Sequence, residues 1–330
     1  MRLWINRGFS IRELAPMMLA ADPDLELFMS ERQLPAVSRR VTGLPEPESV
    51  AEVAQIVAER KIDKVWPQRR HALFADALGP ERLELPAGTD ALATIASKAD
   101  FATALANWAD DAALPTERFA TLAEFDAATA RFAPFGSLCV KPEIGVFGHG
   151  FWQLVPGTAL SQLAEPDRRE IDPAAFRWLV AEAERSGTLI PHVLMPWLPG
   201  PEVSIDLLMW RGEMLHGVAR TKTDIGVQHI ANDHAMLPHA AMLAGRFGLN
   251  GLASIQYRKA VDGSWRVLEI NPRAAGGIVN SELAGARLVE SWTRLLTGRL
   301  KPGEVPRPSI DAIVQVGERR ELAIPVQVAA

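Results

Sequence analysis

The stretch Leu252-Ala-Ser-Ile-Gln256-Tyr-Arg-Lys-Ala-Val-Asp262-Gly263-Ser-Trp-Arg-Val-Leu-Glu269-Ile-Asn271-Pro-Arg273 reads as a β-hairpin. Asp-Gly between two strand-like runs, Leu252–Arg258 and Trp265–Ile270, is the preferred two-residue hairpin turn. With that turn Val261 pairs with Ser264, Gln256 lies opposite Glu269, and Ser254 lies opposite Asn271. Side chains alternate faces along a strand, so Gln256, Glu269 and Asn271 point the same way. Three oxygen donors on one face suit a hard divalent cation, which takes only one or two carboxylates when a bound phosphate supplies the rest. The same pattern fits an exposed polar face of an antiparallel hairpin. Pro272-Arg273 favours the site, because a guanidinium beside a metal carboxylate is placed to hold a phosphoryl group or a carboxylate.

Three other segments carry chemistry. Lys141-Pro-Glu-Ile-Gly145-Val-Phe-Gly148-His149-Gly150 sets a lysine at a strand end and three glycines in the next loop. Glycine lets backbone amides approach an anion, and lysine adds a point charge. Neither the Walker spacing nor a kinase-type glycine loop is present, so a plain tight turn is an equal reading. Lys98 lies in a helical stretch where a solvated surface position is the default. Met195-Pro-Trp197-Leu198-Pro-Gly-Pro-Glu202 follows a strand.

In this order, Lys98, the Lys141 loop, the Met195–Glu202 segment and Glu269-Ile-Asn-Pro-Arg273 together resemble the ATP-grasp superfamily, closest to the carbamoyl phosphate synthetase large-subunit type. The resemblance spans residues 1–300. It implies an α/β chain, α+β in its grasp part: a pre-ATP-grasp Rossmann-like domain over 1–88, the small and lid part of the grasp with its phosphate loop over 89–190, and the part with the metal hairpin over 191–330. It implies that Lys98 and Lys141 bind ATP phosphates and that Gly145, Gly148, His149 and Gly150 belong to a lid. Met195 and Leu198 would offer main-chain groups to adenine, with Trp197 beside the base and Glu202 on the ribose. Gln256, Glu269 and Asn271 would hold one or two Mg²⁺ (or Mn²⁺), and Arg273 would face the transferred phosphoryl. Glutamine at 256 matches the carbamoyl phosphate synthetase pattern, whereas Met195-Pro196 departs from the acidic residues frequent there. The implied activity is ATP-dependent ligation: a small carboxylate, activated as an acylphosphate, is attacked by an amine, with amino-acid-like substrates. A nucleotide-binding protein without ligation and a carboxylate kinase without the amine step are the alternatives.

The acceptor side is less legible. Arg220-Thr-Lys222-Thr-Asp224 follows a strand, and Arg220 is a candidate catalytic residue holding a substrate carboxylate; a solvated charged loop reads equally well. Arg69-Arg70 follow the Lys64–Trp66 strand, at the carboxyl edge of a parallel sheet where ligands bind. That sheet is expected from Arg2–Asn6, Leu25–Met29 and Lys64–Trp66 with helices between them. One helix opens with the capping box Ser49-Val-Ala-Glu52 and sets Val50, Val53, Ala54 and Val57 on one face. Arg7-Gly8-Phe9-Ser10 lacks the spaced glycines of a dinucleotide fingerprint, which disfavours a nicotinamide dehydrogenase.

Further helices are expected over Thr89–Trp108, Leu122–Phe132, Pro173–Arg185, His234–Phe247 and Ala284–Leu296. Strands are expected at Ser137–Lys141, Phe151–Val155, Leu189–Leu198, Val203–Trp210 and Glu213–Ala219. The 330 residues carry 35 basic and 40 acidic side chains, a net charge of −5, which argues against a partner bound through phosphate neutralisation such as a nucleic acid. One cysteine, Cys139, excludes an internal disulfide and a multi-cysteine zinc site. His229, His234 and His239, five apart, wind around a helix instead of stacking. Without a signal segment or a spanning apolar run, the expectation is a cytoplasmic protein acting on small molecules, with no membrane partner and with homo-oligomers left open. Ala312–Val328 alternates like an edge strand or an interface.

Overall fold

The computed structural model describes residues 1–6, 11–30, 40–145, 148–157 and 164–317. The Arg7–Ser10 loop, Val146-Phe147 of the glycine loop, and the chain beyond 317 lie outside the described residues.

The first sheet is parallel throughout. Its strands β1 (Arg2–Ile5), β2 (Glu26–Met29), β3 (Val41–Gly43) and β4 (Lys64–Trp66) run in the order β3-β2-β1-β4. Both faces are covered, which is why β1 is apolar without alternation. Trp4, Phe28, Val53, Val57, Val65 and Phe74 close one face. Leu3, Ile5, Leu14, Met18 and Trp66 pack on the other, where Trp66 meets Trp292 edge-on at 5.6 Å. Strand β3 was not expected; three residues are too few to show a period.

The Ser49 cap forms, its hydroxyl accepting from the Glu52 amide at 3.3 Å. The Glu52 carboxylate accepts from the Glu48 amide at 2.9 Å and from the Ser49 hydroxyl at 3.2 Å, in place of the Ser49 amide. Val53 and Val57 are buried, but Val50 is 41% exposed and Ala54 faces solvent, so the apolar stripe is narrower than expected.

The second sheet contains β5 (Glu117–Phe119), β6 (Leu138–Pro142), β7 (Trp152–Leu154), β8 (Glu170–Ile171) and β9 (His192–Pro196), ordered β5-β9-β6-β7-β8. Helices Leu122–Phe132 and Pro173–Arg185 pack on it through Phe125, Phe132, Phe176 and Val180. Asp172 caps the latter by accepting from the Ala174 and Ala175 amides at 2.9 and 3.2 Å. The helical stretch near residue 100 is two helices, Thr89–Ala96 and Lys98–Asn107. Ser97 breaks it because its hydroxyl accepts from the Asp100 amide, starting a new helix in place of continuing the old one.

The third sheet is antiparallel: β10 (Glu202–Trp210), β11 (Glu213–Asp224), β12 (Val227–Ala231), β13 (Gly251–Lys259), β14 (Trp265–Asn271) and β15 (Asp311–Gln315), in the order β14-β13-β10-β11-β12-β15. One face, with Val203, Ile205, Ile255 and Tyr257, is sealed by helix Leu237–Arg246 and the Thr89–Asn107 pair. The opposite face changes character along the strands. Leu208, Leu215 and Leu252 are covered by helices Ile278–Leu283 and Leu288–Leu296, whereas Glu202, Ser204, Gln256 and Arg258 follow on the same face beyond that cover. β15 settles residues 311–315 as an edge strand paired with β12. Among the described residues no helix is long and apolar enough to cross a membrane.

Candidate active site

The polar end of that face opens into a cavity of about 500 Å³. Its lining includes Lys141, Gly145, Gly148, Met195, Trp197, Leu198, Glu202, Gln256, Glu269, Asn271 and Arg273, so residues scattered over more than a hundred positions converge there.

The hairpin reaches its expected pairing by an unexpected route. Asp262 keeps a negative φ, so the mirror-image two-residue turn does not form and Val261 does not pair with Ser264. Ala260 and Ser264 close a three-residue loop, with Gly263 at φ +81° and the Asp262 carboxylate accepting from the Ser264 amide at 2.9 Å. That leaves Lys259 opposite Trp265 and Tyr257 opposite Val267. A β-bulge then absorbs one residue, Leu268, and restores Gln256 opposite Glu269 and Ser254 opposite Asn271. Leu268 and Glu269, though adjacent, both line the cavity.

The ligand face is held by short polar contacts. Asn271 Nδ2 donates to Glu269 Oε1 at 2.8 Å, and Arg273 Nη2 donates to Asn271 Oδ1 at 3.1 Å. Burial pushes the Arg273 guanidinium below its usual pKa, and Glu269 opposes that shift. Among the described residues no group of three or more His, Cys, Asp or Glu is arranged to hold a metal ion. Glu269 with two amides is therefore too poor a set to hold a cation by itself, and fits one whose other oxygens come from a phosphate. Gln256, whose amide meets no partner among the described residues, keeps its oxygen for such a role.

Lys98 is not in this cavity but at its border. Its ammonium donates to the Glu143 and Gly145 carbonyls at 3.2 and 3.4 Å. Burial lowers its pKa, Glu269 and Glu143 pull it back, and Lys141 repels it further. Two ammonium groups close enough to repel each other make a place where an anion is welcome. Lys141 Nζ lies 5.5 Å from the Phe151 ring centre.

Glu143, which the sequence reading passed over, ties the loop down: it accepts from Ser97 Oγ and from Arg118 Nε, both at 2.9 Å. Gly148 and Gly150 have φ of +63° and +71°, and a Cβ at Gly150 would strike Pro142 Cγ at 2.6 Å. Gly150 and His149 do not line this cavity.

At the other end, Leu114, Cys139, Met195, Leu198 and Leu268 form an apolar floor. Burial raises the Cys139 thiol pKa to about 11, so it is an inert wall residue. The Trp197 amide is committed to the Ser137 carbonyl at 2.8 Å. Arg258 stacks 4.6 Å from the Trp197 ring centre and donates to the Gly200 carbonyl. It was missed, although carrying the alternation two residues past Gln256 finds it. Glu202 is paired with Lys222 at 2.6 Å, and both line the cavity.

Arg220 is the correction. It does not line the cavity; it is 4% exposed and bound in a fork to Asp206, at 2.6 and 3.1 Å. Burial opposes its charge, but Asp206 and Glu202 hold its pKa above the usual value. Ser281 Oγ donates to the same carboxylate at 2.7 Å, and Gln228 Oε1 accepts from both Arg220 and Asn280. A Cβ on Gly277 would sit 2.2 Å from Arg220 Nη1. Arg220 therefore anchors the loop and helix that follow Arg273, and its guanidinium is not presented to a substrate.

The three histidines are each engaged locally: His229 with Asp311, His234 against Trp265, and His239 between Tyr257 and Asp110.

The fold is the ATP-grasp fold. Residues 188–320 match the model of a family described as ATP-grasp in the biosynthetic pathway with Ter operon. Among solved structures, the chain resembles an L-amino acid ligase from Bacillus licheniformis, at 17% identity and a TM-score of 0.63 over 92% of this chain and 77% of that one. It also resembles N5-carboxyaminoimidazole synthase from Aspergillus clavatus in complex with ADP and 5-aminoimidazole ribonucleotide, at 13% identity and a TM-score of 0.66 over 94% and 80% of the two chains. A third is biotin carboxylase from Campylobacter jejuni in an ATP complex, at 10% identity and a TM-score of 0.63 over 94% and 74%. No curated protein matches the chain by sequence.

Proposed function

We propose that the protein is an ATP-dependent, ADP-forming ligase that activates a small carboxylate for attack by an amine. The observation that carries this reading is the single cavity holding an apolar floor, Glu202, Lys141 with its glycine loop, and the Gln256–Glu269–Asn271–Arg273 face. The base lies on the floor, with the Leu198 amide and Met195 carbonyl at its edge, and Glu202 takes the ribose hydroxyls. Lys98, Lys141 and the glycine loop receive the phosphates. Gln256, Glu269 and Asn271 would hold one or two Mg²⁺ ions, which when bound neutralise phosphate charge.

The substrate carboxylate oxygen attacks the γ-phosphorus, the bond to the β,γ-bridging oxygen breaks, and ADP leaves. Arg273 and Lys141 stabilise the charge on the transferring group. The amine then adds to the acyl carbon, the carbon–oxygen bond to phosphate breaks, and the amine proton passes to solvent. No side chain need act as a nucleophile, and the loop over the phosphates excludes water from the acylphosphate.

The test is ADP release from Mg-ATP with pooled carboxylic acids, with and without pooled amines, beside Glu269→Ala. Acid-dependent release that the variant abolishes, and that rises with an amine, is the expected result. Absence of nucleotide binding by the wild type overturns the reading.

A further inference from the structure

A second cavity, of about 560 Å³, backs onto the first, and Gly145, Glu269, Asn271 and Arg273 line both. Lys98, which stands at the border of the first, lines the second. Beyond that shared wall the character changes. Leu92 and Ile95, one turn apart on helix Thr89–Ala96, and Ile270 on β14 form the margin of the core that seals one face of the antiparallel sheet. Ala96, Ile144 and the half-buried Pro272 stand above that margin, and Ile144 leaves 71% of its surface uncovered. A lone exposed aliphatic side chain is ordinary. One standing over a cavity floored with hydrocarbon, next to a charged site, is where an apolar group of a ligand would leave water.

The polar residues of the far wall, on the turn leaving β4, ask little of an occupant. Gln68 Oε1 and His71 Nε2 are closed off from the cavity. The Arg70 guanidinium is spent on the Pro47 and Glu48 carbonyls. Arg69 is exposed at the rim, where water serves it and an ion pair is worth little. A second carboxylate at the far end of an occupant would therefore gain little there. A far-end ammonium would meet only cations, because the one carboxylate in the lining, Glu269, belongs to the shared wall. Charge leaves the middle of the cavity to a group that carries none.

Building on the ligase reading above, we infer that this cavity takes the acid substrate, and that the acid carries a hydrocarbon side chain. With the nucleotide in the first cavity, the carboxylate that attacks its terminal phosphate lies at the shared wall, between Arg273 and Lys98. The rest of the acid runs into the second cavity, where Leu92, Ile95, Ala96 and Ile144 meet it. Each methylene laid against them leaves water, so affinity climbs with chain length. A charged far end forfeits the gain, because it must stay hydrated or be buried without a partner.

The test uses calorimetric titration of the full chain, loaded with Mg²⁺ and the β,γ-imido analogue of ATP. Two series of probes are used: acetate, butanoate and hexanoate, and the same lengths with an α-ammonium, glycine, L-2-aminobutanoate and L-norleucine. In one series the six-carbon member is expected to bind at least about tenfold tighter than the two-carbon one. Adipate or L-2-aminoadipate, equal in length but charged at the far end, should lose that gain. Ala96 is exposed at the last position of its helix, so Ala96→Phe fills the cavity without touching the core. That variant should abolish the gain from length, and Ile144→Ser should reduce it. The inference is overturned if both series are flat, if the dicarboxylate matches its hydrocarbon counterpart, if Ala96→Phe leaves the gain intact, or if the analogue binds and no probe does. If the analogue itself does not bind, the ligase reading fails first, and the same titration records the difference.

Discussion

Asp206→Ala separates a positioning role for Arg220 from a catalytic one. Asp206 is fully buried, and its two oxygens take the Arg220 fork at 2.6 and 3.1 Å and the Ser281 hydroxyl at 2.7 Å. Removing the carboxylate strands a guanidinium that is itself 4% exposed. Breaking one side of a buried ion pair costs about 3–5 kcal/mol, because the remaining charge is left without compensation. With a urea slope of about 2–3 kcal/mol/M, the unfolding midpoint of the affected unit should fall by about 1–2 M. Replacing both partners with apolar residues of similar volume, Asp206→Leu with Arg220→Met, should restore most of that loss. Chemical denaturation followed by tryptophan fluorescence is a direct readout, since Trp292 lies in the helix beyond the anchored loop. A loss below about 1 kcal/mol in the single variant would show that the pair is not what holds the loop. A double variant that is as stable as wild type yet releases ADP a thousandfold more slowly at saturating substrates would refute the positioning role outright and return Arg220 to the reaction.

Two further outcomes follow from buried charge. Burial lowers the His71 pKa from 6.5 to about 4, so the unfolded chain takes up the proton first as pH falls; stability should drop by up to about 3 kcal/mol between pH 6.5 and 4, and His71→Gln should flatten that interval in pH-dependent denaturation. Lys98 is also depressed by burial, so the unfolded chain keeps its proton to higher pH than the folded one, and stability should rise as pH climbs through the alkaline range between the two. Lys98→Met should remove that rise without destabilising the nucleotide-free protein at pH 7, while weakening ATP binding at least about tenfold in calorimetry, charge-assisted contacts to phosphate being the strong ones.

What the sequence displayed was what is local. Alternation along β13 and β14 was enough to bring Gln256, Glu269 and Asn271 to one face, even though the turn between the strands was misread, because a loop one residue longer and a bulge of one residue offset each other. Ser49 announced its helix because a cap is decided within four residues. Strands β3, β5 and β8, of three, three and two residues, carry no readable period. Arg220 looked like a charged loop residue because its partner sits fourteen positions back across a strand ladder. The second cavity was hidden for a similar reason: its walls come from four separate stretches, and only the Arg69-Arg70 pair hinted at it.

The bulge at Leu268 has a consequence for how such a site changes over time. A regular strand must turn one side chain away for each one it presents, so an apolar contact and a ligating acid at neighbouring positions would compete for the same face. Here Leu268 is an added letter and displaces neither Glu269 nor Asn271. Position 268 is thereby a dial: its side chain can grow, shrink or become polar while the ladder keeps Glu269 across from Gln256. Selection, natural or in the laboratory, can retune what the floor of the cleft accepts without touching the residues that would meet the phosphates.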